Sequence, residues 1–532
     1  MEFDYIIVGA GSAGCVLANR LSADPRYSVV VLEAGPRDSS PWIHIPVGYF
    51  RTMKDPALNW MYRTEADRGL NGRAINWPRG KTLGGSSSIN GLLYVRGQPQ
   101  DYDTWRQLGN VGWSWQDVLP LFKRAETWEE GESELRGGRG PLSVSRSRQS
   151  WAIVDAWVHS AQQAGYPFNP DYNGDDQEGV GYFQLTANNG LRCSSAKAYL
   201  KPIRKRENLT VMTGFLTGKI LFEDQNAVAV EGFENGTSKV VRARREIILS
   251  AGTIGSAQIM MLSGIGPEEH LSENGISIVK ANRSVGRNLQ DHLQARPVYK
   301  CNVATINTRT RGLFNLTRIA VEYALKRTGP MTMAASLGTG YLKTRPGLQT
   351  PDIQFHIQPF SAENPTTGID RFDAFTASVL QLRPESRGEI RLNSSDPREH
   401  PAIHPNYLST TLDRDTLVEG IRIARRICRQ EEMGKLITEE HAPGLHIADE
   451  DYDGLLDWAR STATTIYHPT GTCRMGVDDA AVVDPRLKVR GVDRLRIADC
   501  SIMPSIVSGN TNAPAIMIGE KASDLILEDA KA

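Results

Sequence analysis

Residues 4–22 read DYIIVGAGSAGCVLANRLS, and this stretch decides the fold. An apolar strand-like run is followed by Gly9, Gly11 and Gly14 in G-x-G-x-x-G spacing, and a helical pattern begins within the motif. The first glycine of such a motif permits a tight turn, the second lets the backbone approach a pyrophosphate, and the third lets helix and strand pack closely. The helix N-terminus then faces the anion. We therefore predict a βα unit that binds a dinucleotide through Gly9, Gly11, Ser12 and Gly14.

The next strand supplies the acidic residue that such a site needs. In SVVVLEAG, Glu33 stands nineteen residues after Gly14 and is followed by Ala34. That spacing places a carboxylate where it accepts a hydrogen bond from a ribose hydroxyl. Glu33 and Ala34 are therefore further predicted cofactor contacts, although the motif alone does not separate FAD from NAD.

The overall composition excludes several classes of protein. The chain has 532 residues with 61 basic and 61 acidic side chains, so no net field recruits nucleic acid. Its six cysteines are scattered without metal-ligand spacing, which predicts no metal site. No stretch approaches the roughly 18 apolar residues that span a bilayer, and the N-terminus lacks the pattern of a signal peptide. We expect a cytoplasmic protein, with peripheral contact to the inner membrane as the open alternative.

The pattern of strands predicts two kinds of sheet. Runs such as EIILSAG and RLRIADCS end in turn or helix signals, as in an α/β sheet. Residues 351–361 and 388–397 instead show alternating or short β-rich runs bounded by Pro, Gly and Asn, as antiparallel strands do. We predict an α/β protein with a Rossmann-like dinucleotide-binding domain, which the resemblance described next identifies as an FAD-binding domain, and an inserted, mixed α+β substrate domain built on an antiparallel sheet. The predicted segments are 1–155, 201–300 and 456–532 for the first domain, 156–200 for a connection with substrate-domain character, and 301–455 for the second domain.

Several distant motifs resemble those of the glucose-methanol-choline family of FAD oxidoreductases. The first signature of that family is similar to RGKTLGGSSSINGLLYVRG at 79–97, and the second is similar to GTIGSAQIMMLSGIG at 252–266. Further matches, in the same order as in the family, are GLRCSSAKAYL, VGRNLQDHL, YHPTGTCRMG and SIMPSIVSGNTNAPAIMIGEKASDLI. The resemblance runs from residue 3 to about residue 527 and is nearest to the bacterial aliphatic-alcohol, choline and sorbose dehydrogenases.

The resemblance implies FAD as the cofactor and extends the set of residues that bind it. Some members carry a histidine in the first signature that binds the flavin covalently, and the matching position here is Ile89. We therefore expect FAD to be bound non-covalently. The added contacts are Arg79, Gly84, Gly85, Ser86, Asn90, Gly91 and Asn512. Asp499, at the end of the strand-like run LRIADCS, lies where α/β sheets form ligand crevices; we predict a contact with FAD, with an ordinary helix-entry aspartate as the alternative.

The segment TIYHPTGTCRMG carries the predicted base, His468. Imidazole is the side chain whose unperturbed pKa lies nearest neutral pH, and the following proline restricts the backbone of His468 to extended conformations. By the resemblance, His468 matches the catalytic histidine of the family. Its partner near the C-terminus is Asn510, with Asn512 as the competing candidate; Asn512 also has the features of an N-cap, because Pro514 follows in what would be the first helical turn. We assign Asn510 to catalysis and Asn512 to capping a helix that points at the flavin.

The predicted reaction is oxidation of a primary alcohol to the aldehyde, with the electrons passing to a quinone or another carrier. An oxidase that reduces O2 and an FAD-containing lyase that splits cyanohydrins are the alternatives. The expected partners are a small alcohol and the electron acceptor, and the chain is expected to be a monomer or a homodimer.

Overall fold

The computed structural model describes residues 1–362 and 368–531. Its α-helices span Ser12–Leu21, Pro41–His44, Tyr49–Thr52, Pro99–Gln107, Trp115–Ala125, Ala152–Gln163, Gly252–Leu262, Glu268–Glu273, Ile306–Arg309, Leu313–Lys326, Thr411–Cys428, Glu431–Gly434, Tyr452–Thr462 and Asn512–Asp529. Two large sheets account for most of the strands.

The first sheet is parallel at its centre. Its strands lie in the order Leu209–Thr213, Val29–Glu33, Glu2–Val8, Thr237–Leu249, Asn226–Glu234 and Phe215–Glu223, and Leu495–Ile497 also pairs with Thr237–Leu249. The five residues of the strand Val29–Glu33 are all buried, as expected for a strand covered on both faces. The long strand Thr237–Leu249 takes part in both kinds of pairing. Its first half pairs antiparallel with Asn226–Glu234, and its last residues pair parallel with Leu495–Ile497.

The second sheet is antiparallel. Its strands lie in the order Ile437–Ala442, Val298–Cys301, Ala374–Gln381, Ile353–Gln358, Gly338–Leu342 and Gly179–Tyr182, and Leu293–Ala295 joins it by pairing with both Ala374–Gln381 and Thr464–Thr465. The predicted fold class, a Rossmann-like α/β part with an inserted part on an antiparallel sheet, is therefore confirmed. The predicted domain boundaries stay predictions.

The first helix packs tightly on two neighbours. A Cβ at Gly14 would collide with the carbonyl oxygen of Gly9, so only glycine lets the helix approach the strand this closely. Gly9 itself has a φ of +98°, a left-handed conformation that favours glycine. On its other side the helix packs against Asn512–Asp529, and Arg20 forms an ion pair with the buried Glu520. These contacts bring together two segments that lie about 500 residues apart in the chain.

Candidate active site

A cavity of about 1720 Å³ runs between the two sheets. Single small-ligand pockets typically measure about 300–1,000 Å³, so this cavity has room for a large cofactor together with a substrate. Its wall includes the predicted residues Gly9, Gly11, Ser12, Glu33, Ala34, Arg79, Gly85, Ser86, Asn90, Gly91, His468, Asp499, Asn510 and Asn512. Gly14 and Gly84 lie behind this wall: Gly14 supports the helix–strand packing described above, and the Gly84 N–H donates to the carbonyl of Ala10.

Three helices direct their N-termini at the cavity. They are Ser12–Leu21, Gly252–Leu262 and Asn512–Asp529. In none of them does the side chain of the N-cap residue bind the first N–H groups, although the side chain of Asp499 accepts from the Gly252 N–H. Free N–H groups and the helix dipole both favour an anion at such a position. This part of the cavity therefore fits a dinucleotide: the pyrophosphate suits the glycine-rich first helix, and a ring system that accepts negative charge suits the other two.

Glu33 is held in place by the backbone. Its carboxylate accepts hydrogen bonds from the N–H groups of Ala10, at 2.9 Å, and Gly35, at 2.8 Å. Burial nevertheless raises the pKa of this carboxyl to about 7. A buried carboxylate on the cavity wall benefits from a further donor, which the ribose hydroxyls of FAD would provide.

Asp499 and Asn90 are also fixed by hydrogen bonds. Asp499 accepts from the Gly252 N–H at 2.9 Å and from Ser256 Oγ at 2.6 Å, so it orients the start of the helix Gly252–Leu262. Asn90 Oδ1 accepts from Leu92 N and from the guanidinium of the buried Arg192, at 2.6 Å. Sequence reasoning gave Arg192 no role, although it lies inside the quoted motif GLRCSSAKAYL.

The backbone of His468 is anchored on both sides. Its N–H donates to Asp291 Oδ1 at 2.7 Å, and Arg79 donates to the carbonyl of Tyr467 at 2.6 Å. Tyr467 adopts a φ of +73°, which a bulky residue rarely does, so the surrounding contacts must hold it there. Asp291 in turn accepts from Thr465 Oγ1 and from Tyr407 OH, each at 2.5 Å. Pro469 is thus one of several constraints on the backbone of His468. Asp291 is the residue that connects His468 to Thr465 and Tyr407 by hydrogen bonds.

A second histidine fixes the protonation of His468. His292 Nε2 lies 2.8 Å from the carbonyl oxygen of Leu382, and a carbonyl only accepts, so this nitrogen carries the proton. Burial lowers the pKa of His292 to about 4, so the ring is neutral and its Nδ1 is an acceptor. That Nδ1 lies 3.0 Å from His468 Nδ1, which must therefore be the donor. The lone pair of His468 is left on Nε2.

Asn510 lies next to that lone pair. Its Nδ2 is 3.0 Å from His468 Nε2, and its Oδ1 is buried without a hydrogen-bond partner among the described residues. Burial, with smaller contributions from His292, His356 and Arg79, holds the pKa of His468 well below its usual range, so the ring is an unprotonated base at neutral pH. A hydroxyl that enters from the cavity and comes within hydrogen-bond distance of both groups would lose its proton to Nε2 and be held by the Asn510 amide.

Asn512 does not cap the helix as predicted. The helix begins at Asn512 itself with Thr511 as the N-cap, and Asn512 Oδ1 instead accepts from Ser12 Oγ at 2.8 Å. Because its oxygen binds Ser12, the side chain joins the first and last helices of the cavity. Pro514 does lie in the first turn, as predicted.

Sequence reasoning missed Asp291 and His292. Both belong to VGRNLQDHL, which was recognised as a family motif without a role for any residue. The signal was an acidic residue beside a histidine in a segment that leads into a strand. Nothing local indicates that Leu293–Ala295 pairs with Thr464–Thr465 and so brings His292 to His468.

The described part of the chain shows neither a metal-ligand cluster nor a helix that could span a membrane. Among the described residues, no three His, Cys, Asp or Glu side chains cluster as metal ligands do. None of the described helices has the length and apolar character required to cross a bilayer.

Comparison with known proteins gives consistent matches over the whole chain. Two family models, both described as GMC oxidoreductase, match residues 3–294 and 384–519. An alcohol dehydrogenase [acceptor] of Pseudomonas putida is 43% identical over 99% of this chain and 96% of its own length. The mitochondrial choline dehydrogenase of Homo sapiens is 42% identical over 99% of this chain and 90% of its own length. The crystal structure of pyridoxine 4-oxidase from Mesorbium loti is 30% identical and superposes with a TM-score of 0.89 over 98% of each chain.

Proposed function

Because this chain belongs to the GMC oxidoreductase family, we propose that it oxidises a primary alcohol to the aldehyde with His468 as the base. The observation that carries this proposal is the pairing of an unprotonated Nε2 on His468 with the Asn510 amide at 3.0 Å, on the wall of a cofactor-sized cavity. FAD, when bound, supplies the ring that accepts the hydride and passes the electrons on.

The residues of this chain perform the acid–base part of the reaction. The alcohol proton moves to Nε2 of His468, while the Asn510 amide donates to the alcohol oxygen and fixes its position. The imidazolium that results keeps its Nδ1 proton, which His292 accepts in a hydrogen bond. Asn510 cannot act as a base, so the proton has a single destination.

We propose that FAD is held without a covalent bond. Ile89 forms part of the cavity wall and offers no nucleophile. Cys500 also lines the cavity, but burial raises the pKa of its thiol to about 12, so it remains protonated. Precipitation of the protein in acid should release all of the yellow cofactor into the supernatant; colour retained in the pellet would contradict the proposal.

The proposed acceptor is a quinone or another carrier, and one surface supports peripheral contact with a membrane. The helix Leu313–Lys326 is exposed along most of its length, with Leu313 at 82%, Phe314 at 80% and Leu325 at 79%. Together with Leu316, Ala320, Val321 and Ala324, these residues form one apolar face, while Ile319 and Tyr323 point inward. Amphipathic helices with such a face lie in the surface plane of a bilayer.

Charge and position favour an anionic membrane as the occupant of this face. Arg311, Arg318, Lys326 and Arg327 lie on or beside the helix, against the single acidic residue Glu322. Basic residues near a membrane surface each contribute about 1 kcal/mol of attraction to anionic lipid. Thr310, three residues before the helix, lines the cavity, so the proposed contact places the cavity near the membrane.

The test of the reaction is anaerobic. Primary alcohols are added to the purified yellow protein, and the absorbance of oxidised flavin is followed. Bleaching by an alcohol supports oxidation, and the rate at which air restores the colour separates an oxidase from a dehydrogenase. The variant His468→Ala should keep the bound cofactor and lose roughly 10²–10⁴-fold in the rate of bleaching.

Two results would overturn the proposed reaction. Near-normal bleaching by His468→Ala would remove the base from the mechanism. Cleavage of a cyanohydrin without bleaching by any alcohol would instead indicate a lyase on the same fold.

A further inference from the structure

The wall of the cavity carries an arginine whose charge is not balanced. Arg296 lines the cavity, and its Nη2 makes one long hydrogen bond of 3.3 Å, to Gln358 Oε1. No carboxylate among the described residues comes within ion-pair distance of it; Asp370 acts on it only at longer range and accepts from Ser361 Oγ at 2.6 Å. Burial lowers the pKa of Arg296, as expected for a cation without a close counter-ion.

Arg79 and Arg73, two other arginines of the cavity, differ in this respect. Arg79 donates to the carbonyls of Pro78 and Tyr467, at 2.7 and 2.6 Å, and Arg73 donates to those of Arg460 and Ala463, at 3.1 and 2.5 Å. Their guanidinium groups are therefore engaged in holding the backbone. Within the described ranges 1–362 and 368–531, Arg296 makes the one hydrogen bond to Gln358, so most of its five N–H donors have no partner there, in the planar fork that matches a carboxylate.

Arg296 directly follows the strand Leu293–Ala295, and His292 directly precedes it. Side chains alternate between the two faces of a strand, and here Gln294 and Arg296 line the cavity, whereas Leu293 and Ala295 do not. An extended chain rises about 3.3 Å per residue, so the four steps from His292 to Arg296 span at most about 13 Å.

Several side chains on the wall of the same cavity have polar atoms without a hydrogen-bond partner among the described residues. Gln294 Oε1, His356 Nε2 and Tyr49 OH are buried without a hydrogen-bond partner, and all three side chains line the cavity. Buried polar atoms are normally satisfied, so these three groups favour a bound molecule with polar groups of its own, either a ligand or an ordered water. Gln358 and Ser336 continue this polar strip from Arg296 to His356, with Ser336 Oγ 3.3 Å from His356 Nδ1.

We propose that Arg296 binds a carboxylate of the substrate, so that the enzyme oxidises hydroxy acids whose hydroxyl is separated from the carboxylate by a chain of several carbons. This inference rests on the proposed function and names its substrate class. The hydroxyl end reaches His468 and Asn510, and the carboxylate end pairs with the guanidinium of Arg296. A quaternary ammonium group in the same place would be repelled by it.

The test compares three alcohols of equal length that differ in end-group charge. These are 8-hydroxyoctanoate, its methyl ester and the matching trimethylammonium alcohol, each measured by anaerobic flavin bleaching. A charged hydrogen-bonded pair should favour the hydroxy acid over the ester by roughly 10- to 100-fold in kcat/KM. Arg296→Gln should bring that ratio close to one, and Arg296→Lys should retain part of it. Arg139→Gln, which removes the same charge from an exposed position away from the cavity, should leave the ratio as it is.

A second readout needs no turnover. Octanoate has no hydroxyl to oxidise, and its binding beside the flavin is followed by the shift of the flavin absorbance. Its Kd should rise by roughly tenfold or more in Arg296→Gln. If the ester or the trimethylammonium alcohol equals the hydroxy acid in the wild type, or if octanoate binds both proteins equally, the carboxylate site is wrong while alcohol oxidation stands. If no alcohol bleaches the flavin but octanoate binding depends on Arg296, the proposed reaction fails and the carboxylate site stands.

Discussion

Replacing His292 with leucine should disable the base without touching the substrate. The substitution removes the acceptor of the His468 Nδ1 proton at 3.0 Å and keeps a similar side-chain volume. A buried donor without a partner costs about 1–3 kcal/mol, and the imidazole avoids this cost by moving its proton to Nε2. The population with a free lone pair on Nε2 then falls by roughly 5- to 150-fold, and the rate of flavin reduction at saturating alcohol falls by the same factor.

The assay is stopped-flow bleaching of the flavin without oxygen, recorded across pH 5–9. The neutral His292 accepts from the Nδ1–H of His468, and this hydrogen bond is stronger to the imidazolium than to the neutral ring, so the acid limb of the pH profile should also move downward in the variant. A purely structural role of His292 would not shift that limb in this direction. The reasoning is refuted if His292→Leu reduces the flavin within threefold of the wild-type rate and with the same pH profile.

The matched control is His270→Leu. His270 is also a buried histidine with two hydrogen bonds, one from the N–H of Leu392 at 2.9 Å and one with Arg391 at 3.2 Å, and it does not line the cavity. Its replacement should cost comparable folding stability and leave the rate of bleaching and its pH profile unchanged. The comparison separates loss of the acceptor from loss of a buried histidine.

Three further results are expected. Because only the unprotonated imidazole is a base, kcat/KM should rise with pH through the pKa of His468. Since that pKa is lowered, the midpoint of the rise in the wild type should lie below pH 6.5. A midpoint above pH 6.5 would contradict the assignment of His468 as the base. Glu126→Gln should lower the free energy of unfolding by about 3–5 kcal/mol, because it leaves Arg96 and Arg136 without their buried partner, and urea denaturation measures this. Replacing both Leu313 and Phe314 with serine should weaken co-sedimentation with anionic vesicles, whereas Val111→Ser at another exposed apolar site should not. Equal sedimentation of the two variants would contradict the proposal that the helix Leu313–Lys326 contacts a membrane.

The parts of the site that follow from the sequence are those encoded locally. Gly9, Gly11 and Glu33 are predictable because a turn, a close approach and a strand end each have a short signature. His468 is predictable as a base because a motif surrounds it. In these cases the residues that determine the geometry lie within a few positions of the residue that acts.

The parts that the sequence does not reveal depend on long-range pairing. Asp291 and His292 reach His468 across 177 and 176 residues, through a strand pair of only two residues on each side. The last helix begins at Asn512, one residue earlier than the capping pattern predicts, and the side chain of Asn512 binds Ser12 instead. Ser12 lies 500 positions away, so no capping rule includes it. Arg296 shows the same limit, since an arginine just after a strand is ordinary until its surroundings are seen to lack a counter-charge among the described residues.

The hydrogen bond between Ser12 and Asn512 has a consequence for biosynthesis. At roughly 5–20 residues per second, a ribosome needs about 25–100 s to add the 500 residues that separate these two partners. During that time the first helix has made its glycine-rich turn but lacks the helix Asn512–Asp529 that covers its apolar side. The nascent chain therefore exposes this surface until synthesis is nearly complete, and chaperones that bind apolar segments should associate with it before FAD can.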